Sequence, residues 1–143
     1  MRSPLGHILT INTGSSSLRA RLYLANQDER PVRTAEVERI GQTGARLNVF
    51  EDDCCLLSEQ PLDLPDHGTA LRALLARLTE ADGNGVAAIS HRIVHGGRAF
   101  VEPRLVTDGV LAELWRLIPI APSPPHGTAW ITNAITSAAS ATP

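Results

Sequence analysis

The stretch HILTINTGSSSLRARLYL, residues 7–24, contains the pattern that decides the fold. It opens with a short apolar run, residues 7–12, which ends in polar residues as a buried strand does. The serine turn, Asn12–Ser17, follows this run. Beyond it, apolar and polar residues alternate with the period of two expected of a strand with one buried face. The apolar members of that strand are Leu18, Ala20, Leu22 and Leu24. The stretch therefore predicts a β-hairpin whose connecting loop is the serine turn.

The residues after the hairpin predict further strands. Residues 32–39 and 45–50 are strand candidates separated by a glycine-containing turn, and 54–57 is a shorter candidate. Pro61 and Pro65 are expected to end any regular strand pairing, because proline has no N–H to donate.

Two helices are predicted by their apolar stripes. The first, residues 67–80, is capped by Asp66 and carries the leucines at helical spacing, which are Leu71, Leu74, Leu75 and Leu78. A buried strand, Val86–Ile89, comes next, and a second helix at 108–118 is capped by Thr107 or Asp108. A last helix is expected within 127–140. Strands followed by helix, strand and helix indicate an α/β or α+β layer structure.

Composition sets outer limits on function. The 143 residues suffice for one domain, and 43% apolar with 20% charged residues is ordinary for a soluble globular protein. A net charge of −2 gives no general attraction to nucleic acid or an anionic membrane. No apolar run is long enough to span a bilayer, and the N-terminus lacks a signal-peptide pattern. The adjacent Cys54 and Cys55 predict neither a disulfide framework nor a zinc site, which fits a reducing cytoplasm.

The serine turn is the first candidate site. Gly14 allows a sharp turn with exposed N–H groups, and one amide and three hydroxyls lie beside it. Such a loop can bind phosphate oxygens or metal-bound water without a charged residue. No lysine follows at the spacing of a Walker motif. An ordinary hairpin turn with no ligand is the alternative explanation.

The second candidate is His91-Arg92-Ile93-Val94-His95-Gly96-Gly97, at the end of a predicted strand. Arg92 can bind a carboxylate or phosphate through two parallel hydrogen bonds. The alternative is a structural histidine beside a surface arginine. The proline-rich loop 119–126 is a third candidate. Its His126 either faces a phosphate or is merely an exposed polar residue.

Taken in order, these segments resemble the N-terminal portion of the acetate kinase family, which includes acetate and propionate kinases. Residues 11–18 are similar to the first signature of that family, and residues 90–100 to its second. Residues 66–71 lie where the family has an Asp-His pair opening a helix. The resemblance covers residues 7–126, and joint occurrence in order is far more specific than any single motif.

The resemblance implies both a fold and an activity. The fold is an actin-like, ribonuclease-H-like domain with a mixed β-sheet and flanking helices, the N-terminal part of a two-domain ATPase superfold. Residues 1–143 would form this domain, without the nucleotide-binding C-terminal domain. The activity is transfer of the ATP γ-phosphoryl group to acetate or propionate, giving an acyl phosphate in cytoplasmic acetate metabolism. ATP and Mg²⁺ are the implied cofactors.

The resemblance also implies roles for individual residues. Asn12, Ser15 and Ser17 match the phosphoryl-transfer and magnesium region, with Asn12 as the metal-binding position. Arg92 matches the catalytic, substrate-binding arginine, and Val94 matches the pocket for the acetate methyl group.

Two positions depart from the family pattern. Pro124 stands where a histidine that donates to the phosphoryl group is expected, and His126 lies two residues later. Ser123 replaces a leucine.

Three interpretations remain open on the sequence alone. The first is a kinase domain that does not turn over by itself, from a protein whose full-length relatives are homodimers. The second is a non-catalytic binding or interaction domain with the same fold. The third is a butyrate-kinase-like acyl kinase. A short carboxylate and ATP are the expected partners, and an exposed apolar face would favour self-association.

Overall fold

The computed structural model describes residues 6–25, 29–79, 86–92, 102–103, 105 and 107–117. It contains six strands and two helices within these residues. In chain order they are β1 His7–Thr13, β2 Ser17–Leu24, β3 Arg33–Glu38, β4 Ala45–Glu51, β5 Cys54–Leu62, α1 His67–Thr79, β6 Val86–Arg92 and α2 Asp108–Leu117.

The six strands form one sheet in the order β5-β4-β3-β2-β1-β6. Neighbours are antiparallel from β5 to β1, whereas β1 and β6 run parallel, so the sheet is mixed. The chain divides into two compact units, residues 1–92 and 93–143. The first contains the whole sheet and α1, and the second contains α2. The predicted hairpin is confirmed, with Thr13 still paired to Leu18.

One face of the sheet and α1 form the core of the first unit. Helix α1 packs against the central strands β2, β3 and β4. The alternation seen in the sequence explains why, since alternate residues of these strands are apolar and buried: Leu18, Ala20, Leu22, Ala35, Val37, Ala45, Leu47 and Val49. Leu71, Leu74 and Leu78 of the helix stripe are buried against this face, and Leu75 is half-buried. The other face of the sheet carries exposed polar residues, among them Asn12, Arg19 and Arg21.

Both helices begin at side-chain caps. The Asp66 carboxylate accepts a hydrogen bond from the Thr69 backbone N–H at 2.7 Å, as the sequence predicts. This backbone hydrogen bond holds the pKa of Asp66 below its usual value. At α2, Thr107 Oγ1 accepts from the Val110 N–H at 3.3 Å, so Thr107 rather than Asp108 is the cap.

The structure corrects two sequence predictions about strands. Strand β5 extends beyond the predicted residues 54–57 to Leu62, because it lies at the edge of the described sheet, where a missing N–H is tolerated. Its pairing with β4 nevertheless shifts register between Glu59 and Leu62, so Pro61 interrupts the regular pairing as the sequence predicts. Residues 86–89 do form a strand, yet Ala87 and Ala88 are exposed, because β6 is the opposite edge of that sheet. The helix expected within 127–140 lies outside the described residues.

Candidate active site

Asn12 lies between two arginines at the ends of neighbouring strands. In the strand register Asn12 is opposite Arg92 of β6 and opposite Arg19 of β2. All three residues are exposed and alternate with buried ones, so they occupy the sheet face away from α1. The parallel pairing of β1 and β6 brings both strands to their carboxyl ends here, the edge where open α/β sheets bind ligands.

Two adjoining cavities open around Asn12. One of about 280 Å³ is lined by Thr10, Ile11, Asn12, Arg19, Arg21, Ser90 and Arg92. The other, of about 300 Å³, is lined by Asn12, Thr13, Gly14, Ser17, Leu18, Arg19, Glu36, Val37 and Glu38. Asn12 and Arg19 line both, so the serine turn and the strand-end arginine belong to one continuous region.

The charges differ between these cavities. The first contains Arg19, Arg21 and Arg92 but no carboxylate, and neither Arg21 nor Arg92 forms an ion pair within the described residues. The second contains the carboxylates of Glu36 and Glu38. Arg19 is paired with Glu36 at 2.7 Å, and this pair lies on the boundary. The first cavity therefore suits an anion, and the second suits a cation with oxygen ligands.

The serine turn is fixed through its backbone. The Gly14 N–H donates to the Ser17 carbonyl at 2.9 Å, and the Ile40 N–H donates to the Ser16 carbonyl at 2.9 Å. A Cβ on Gly14 would collide with Ser17 Oγ, so any other residue here would require the Ser17 hydroxyl to rotate away. In the described part of the chain the N–H groups of Ser15 and Ser16 have no acceptor. The turn thus offers amide and hydroxyl donors to a ligand.

Two histidines contact the turn from the α1 side of the sheet. Thr13 Oγ1 lies 3.0 Å from His91 Nε2, and the Gly14 carbonyl oxygen lies 2.9 Å from His67 Nε2. Burial lowers the pKa of His91 to about 4, so its imidazole is neutral at pH 7. Among the described residues no group of three or more His, Cys, Asp or Glu side chains is arranged to hold a metal.

Comparison with known proteins now decides the family. Residues 7–143 match the model of the Acetokinase family. The chain belongs to this family. It is 39% identical over 137 residues to acetate kinase of Streptomyces avermitilis, covering 92% of this chain and 33% of that protein. It is 40% identical over 137 residues to acetate kinase of Streptomyces coelicolor, with the same coverage. The chain therefore spans about a third of the length of these curated relatives.

Solved structures of acetokinase relatives share the fold. Acetate kinase of Porphyromonas gingivalis aligns with a TM-score of 0.74 and 28% identity, over 92% of this chain and 34% of that one. A propionate kinase from Francisella tularensis aligns with a TM-score of 0.78 and 21% identity, over 96% of this chain and 35% of that one. The predicted resemblance to the N-terminal portion of the acetate kinase family, with its actin-like fold, is confirmed.

Three of the six predicted site residues of this acetokinase-family chain line the two cavities. Asn12 and Ser17 line the second cavity, and Asn12 and Arg92 line the first. Ser15 is exposed in the turn but is not among the residues lining either cavity. Val94 and His126 lie outside the described residues, as do the two positions that depart from the family pattern.

Sequence reasoning missed Arg19 and Arg21. Both were interpreted only as the polar, outward members of an alternating strand. The signal was present nonetheless, because a hairpin closed by the serine turn necessarily places a β2 residue opposite Asn12. Counting residues across the turn from Asn12 to the second strand would have identified Arg19 as that neighbour.

No helix within the described residues has both the length and the apolar character needed to cross a membrane.

Proposed function

We propose that this chain supplies the carboxylate- and phosphoryl-binding part of a kinase that transfers the ATP γ-phosphoryl group to acetate or propionate. Membership in the Acetokinase family supports the reaction class. The observation that carries the proposal is the pairing of Asn12 with Arg92 across parallel strands, in a cavity whose charged side chains are all arginines. In this proposal residues 1–143 form the N-terminal domain, and further protein supplies the nucleotide-binding domain and a homodimer interface.

Arg92 is the proposed substrate-binding and catalytic residue. Its guanidinium presents a planar pair of donors that matches a carboxylate, and it has no competing ion pair in the described residues. Arg21 lines the same cavity and adds positive potential. Phosphoryl transfer requires in-line positioning and neutralisation of charge rather than a protein nucleophile. Arg21 and Arg92, which line the cavity next to Asn12, would neutralise the charge of the bound anion.

The second cavity fits a hydrated magnesium ion by its donor chemistry. Asn12 offers an amide oxygen, Ser17 a hydroxyl and Glu38 a carboxylate, all oxygen ligands of the kind Mg²⁺ takes. Asn12 and Ser17 would hold the ion or its water, with Ser15 contributing from the turn. When bound, the ion supplies neutralisation of the charge on the ATP phosphates.

The specificity residues are proposed from the family resemblance. Val94 would contact the methyl group of the substrate, and Ser123 in place of leucine would make that pocket less apolar. His126 is proposed as a donor to the phosphoryl group, since Pro124 cannot donate.

Titration of this chain with acetyl phosphate, acetate and inorganic phosphate, followed by amide chemical shifts, tests the proposal. We expect shifts at Asn12 and at the serine turn. Arg92→Ala should weaken binding roughly 10- to 100-fold, because a charged hydrogen bond contributes about 1.5–3 kcal/mol. Arg46→Ala is the matched control, since Arg46 is an exposed strand arginine bound to Gln60 at 2.7 Å.

Other outcomes would contradict the proposal or favour one of the alternative functions. A folded chain that binds none of the three anions would contradict the proposal and favour the non-catalytic interaction domain. Equal losses in Arg92→Ala and Arg46→Ala would remove Arg92 from the site. Butyrate is titrated in parallel, and tighter binding of butyrate than of acetate would favour the butyrate-kinase-like alternative.

A further inference from the structure

Two histidines contact the serine turn from the α1 face of the sheet, opposite to the face that carries the proposed ligand site. Thr13 and His91 alternate with Asn12 and Arg92 along β1 and β6, so their side chains belong to the α1 face of the sheet. His67, the first residue of α1, reaches the same turn at the Gly14 carbonyl. Two elements that are both far from the turn in sequence thus contact it on this side.

We propose that His67 and His91 are positioning residues that hold the serine turn in its ligand-binding conformation by hydrogen bonds to Gly14 and Thr13. This inference rests on the proposed function of the turn. Neither histidine lines the two cavities around Asn12, so neither is a candidate for ligand contact there.

The direction of both hydrogen bonds follows from the atoms involved. A carbonyl oxygen only accepts, so His67 must donate from Nε2–H to Gly14. His91 is neutral and has one ring proton. Its Nδ1 is buried without a partner in the described residues. A buried N–H without an acceptor is rarer than a buried acceptor without a donor. The proton therefore lies on Nε2, which donates to Thr13 Oγ1.

These two donors restrain the part of the turn that its own backbone bonds leave free. Gly14 N–H and the Ser16 carbonyl are already bonded, whereas among the described residues the Gly14 carbonyl and the Thr13 hydroxyl are bonded only through the histidines. Because the Gly14 carbonyl and the Ser15 N–H belong to one planar peptide group, holding the carbonyl sets the direction of the Ser15 N–H. Displacing a positioned donor by about 1 Å can cost on the order of 10²-fold in a reaction that depends on orientation.

The test compares variants that remove and restore one hydrogen bond in the full 143-residue chain. His67→Ala and His91→Leu remove the donors, and His67→Gln and His91→Gln retain an amide donor. Arg72→Ala on α1 and Ala88→Ser on β6 are matched controls, because both residues are exposed and touch neither the turn nor the cavities. The readouts are acetyl phosphate affinity, amide hydrogen exchange at Gly14–Ser17, and the imidazole tautomers by long-range ¹H–¹⁵N spectra.

The expected result is faster amide exchange confined to the turn and about tenfold weaker acetyl phosphate binding in the donor-free variants. The glutamine variants should recover most of both properties, and the controls should resemble the wild type. A merely structural histidine would instead speed exchange throughout the sheet. Where His91→Leu lowers overall stability, the exposed helix start makes the His67→Ala and His67→Gln pair the deciding comparison.

Failure of this inference is distinguishable from failure of the proposed function. Unchanged turn exchange and unchanged affinity in both donor-free variants, with Arg92→Ala still impaired, would overturn the positioning role alone. If the wild-type chain binds no acetyl phosphate, the proposed function fails and turn exchange alone decides the positioning role. A His91 proton found on Nδ1 would overturn the assigned hydrogen bond to Thr13.

Discussion

At the scale of single residues, burial of His91 makes the stability of the fold depend on pH. Its imidazole is mostly buried, and this desolvation disfavours the charged form. An unfolded chain has no such burial, so its histidine takes up a proton near the ordinary value of about 6.5. The folded and unfolded states therefore bind different numbers of protons at mildly acidic pH.

Chain stability should fall as pH drops from about 6.5 toward 4. The pKa of His91 is lowered to about 4 in the folded state, so between these values only the unfolded state is protonated. The loss approaches about 3 kcal/mol and levels off below pH 4, where both states carry the proton. Urea unfolding of the wild type and His91→Gln at several pH values measures this. Parallel pH profiles for the two proteins would rule out His91 as the cause.

The residues of the site were only partly predictable from sequence. Asn12, Ser17 and Arg92 stand in recognisable motifs, and the structure brings all three to the two adjoining cavities. Arg19 and Arg21 belong to no motif, because only strand pairing gives them their neighbours. The contacts of His67 and His91 with the turn could not be predicted, since 53 and 78 residues separate the bonded pairs.

At the scale of elements, helix α1 anchors the first unit and presents His67 to the turn. Its cap at Asp66 and its leucine stripe were both evident in the sequence, because capping and helical periodicity are local properties. Whether a strand lies at the edge of a sheet depends instead on residues that are distant in sequence. The sequence therefore predicted too short a strand at β5 and too buried a strand at β6.

Truncating Leu74 should destabilise the chain far more than truncating its neighbour Leu75. Leu74 is fully buried between α1 and the sheet, so Leu74→Ala leaves a cavity and should cost about 2–5 kcal/mol. Leu75 is half-buried, and alanine is the best helix former, so Leu75→Ala should cost much less. Urea denaturation of both variants provides the comparison. Similar losses would mean that α1 does not pack through its predicted stripe.

At the scale of the whole molecule, the chain corresponds to about a third of its curated acetate kinase relatives. The first unit contains the six described strands in one sheet with a helix-covered face, and the opposite face carries the proposed site. A binding site can be present on this unit without the groups needed for turnover, because kinases place their phosphoryl donor with additional protein contacts.

The 143-residue chain alone should form no acetyl phosphate from ATP, Mg²⁺ and acetate. The chain spans about a third of its curated relatives, and the proposed function leaves nucleotide binding to further protein, so nothing in the chain would hold ATP in line with the carboxylate. Trapping the product with hydroxylamine measures the reaction, and a full-length family member serves as the positive control. Turnover that disappears in Arg92→Ala would show that the chain is catalytically sufficient.

Strand β5 has a consequence for solution behaviour. An outermost strand normally displays a ladder of donors and acceptors on which a second copy can grow, the route to fibrils. Here Pro61 deletes one donor, and the pairing of β5 with β4 slips at two places, which bends the strand. A second strand that approached β5 would find one N–H donor missing and a bent strand to pair with. This edge of the sheet therefore discourages amyloid-like extension.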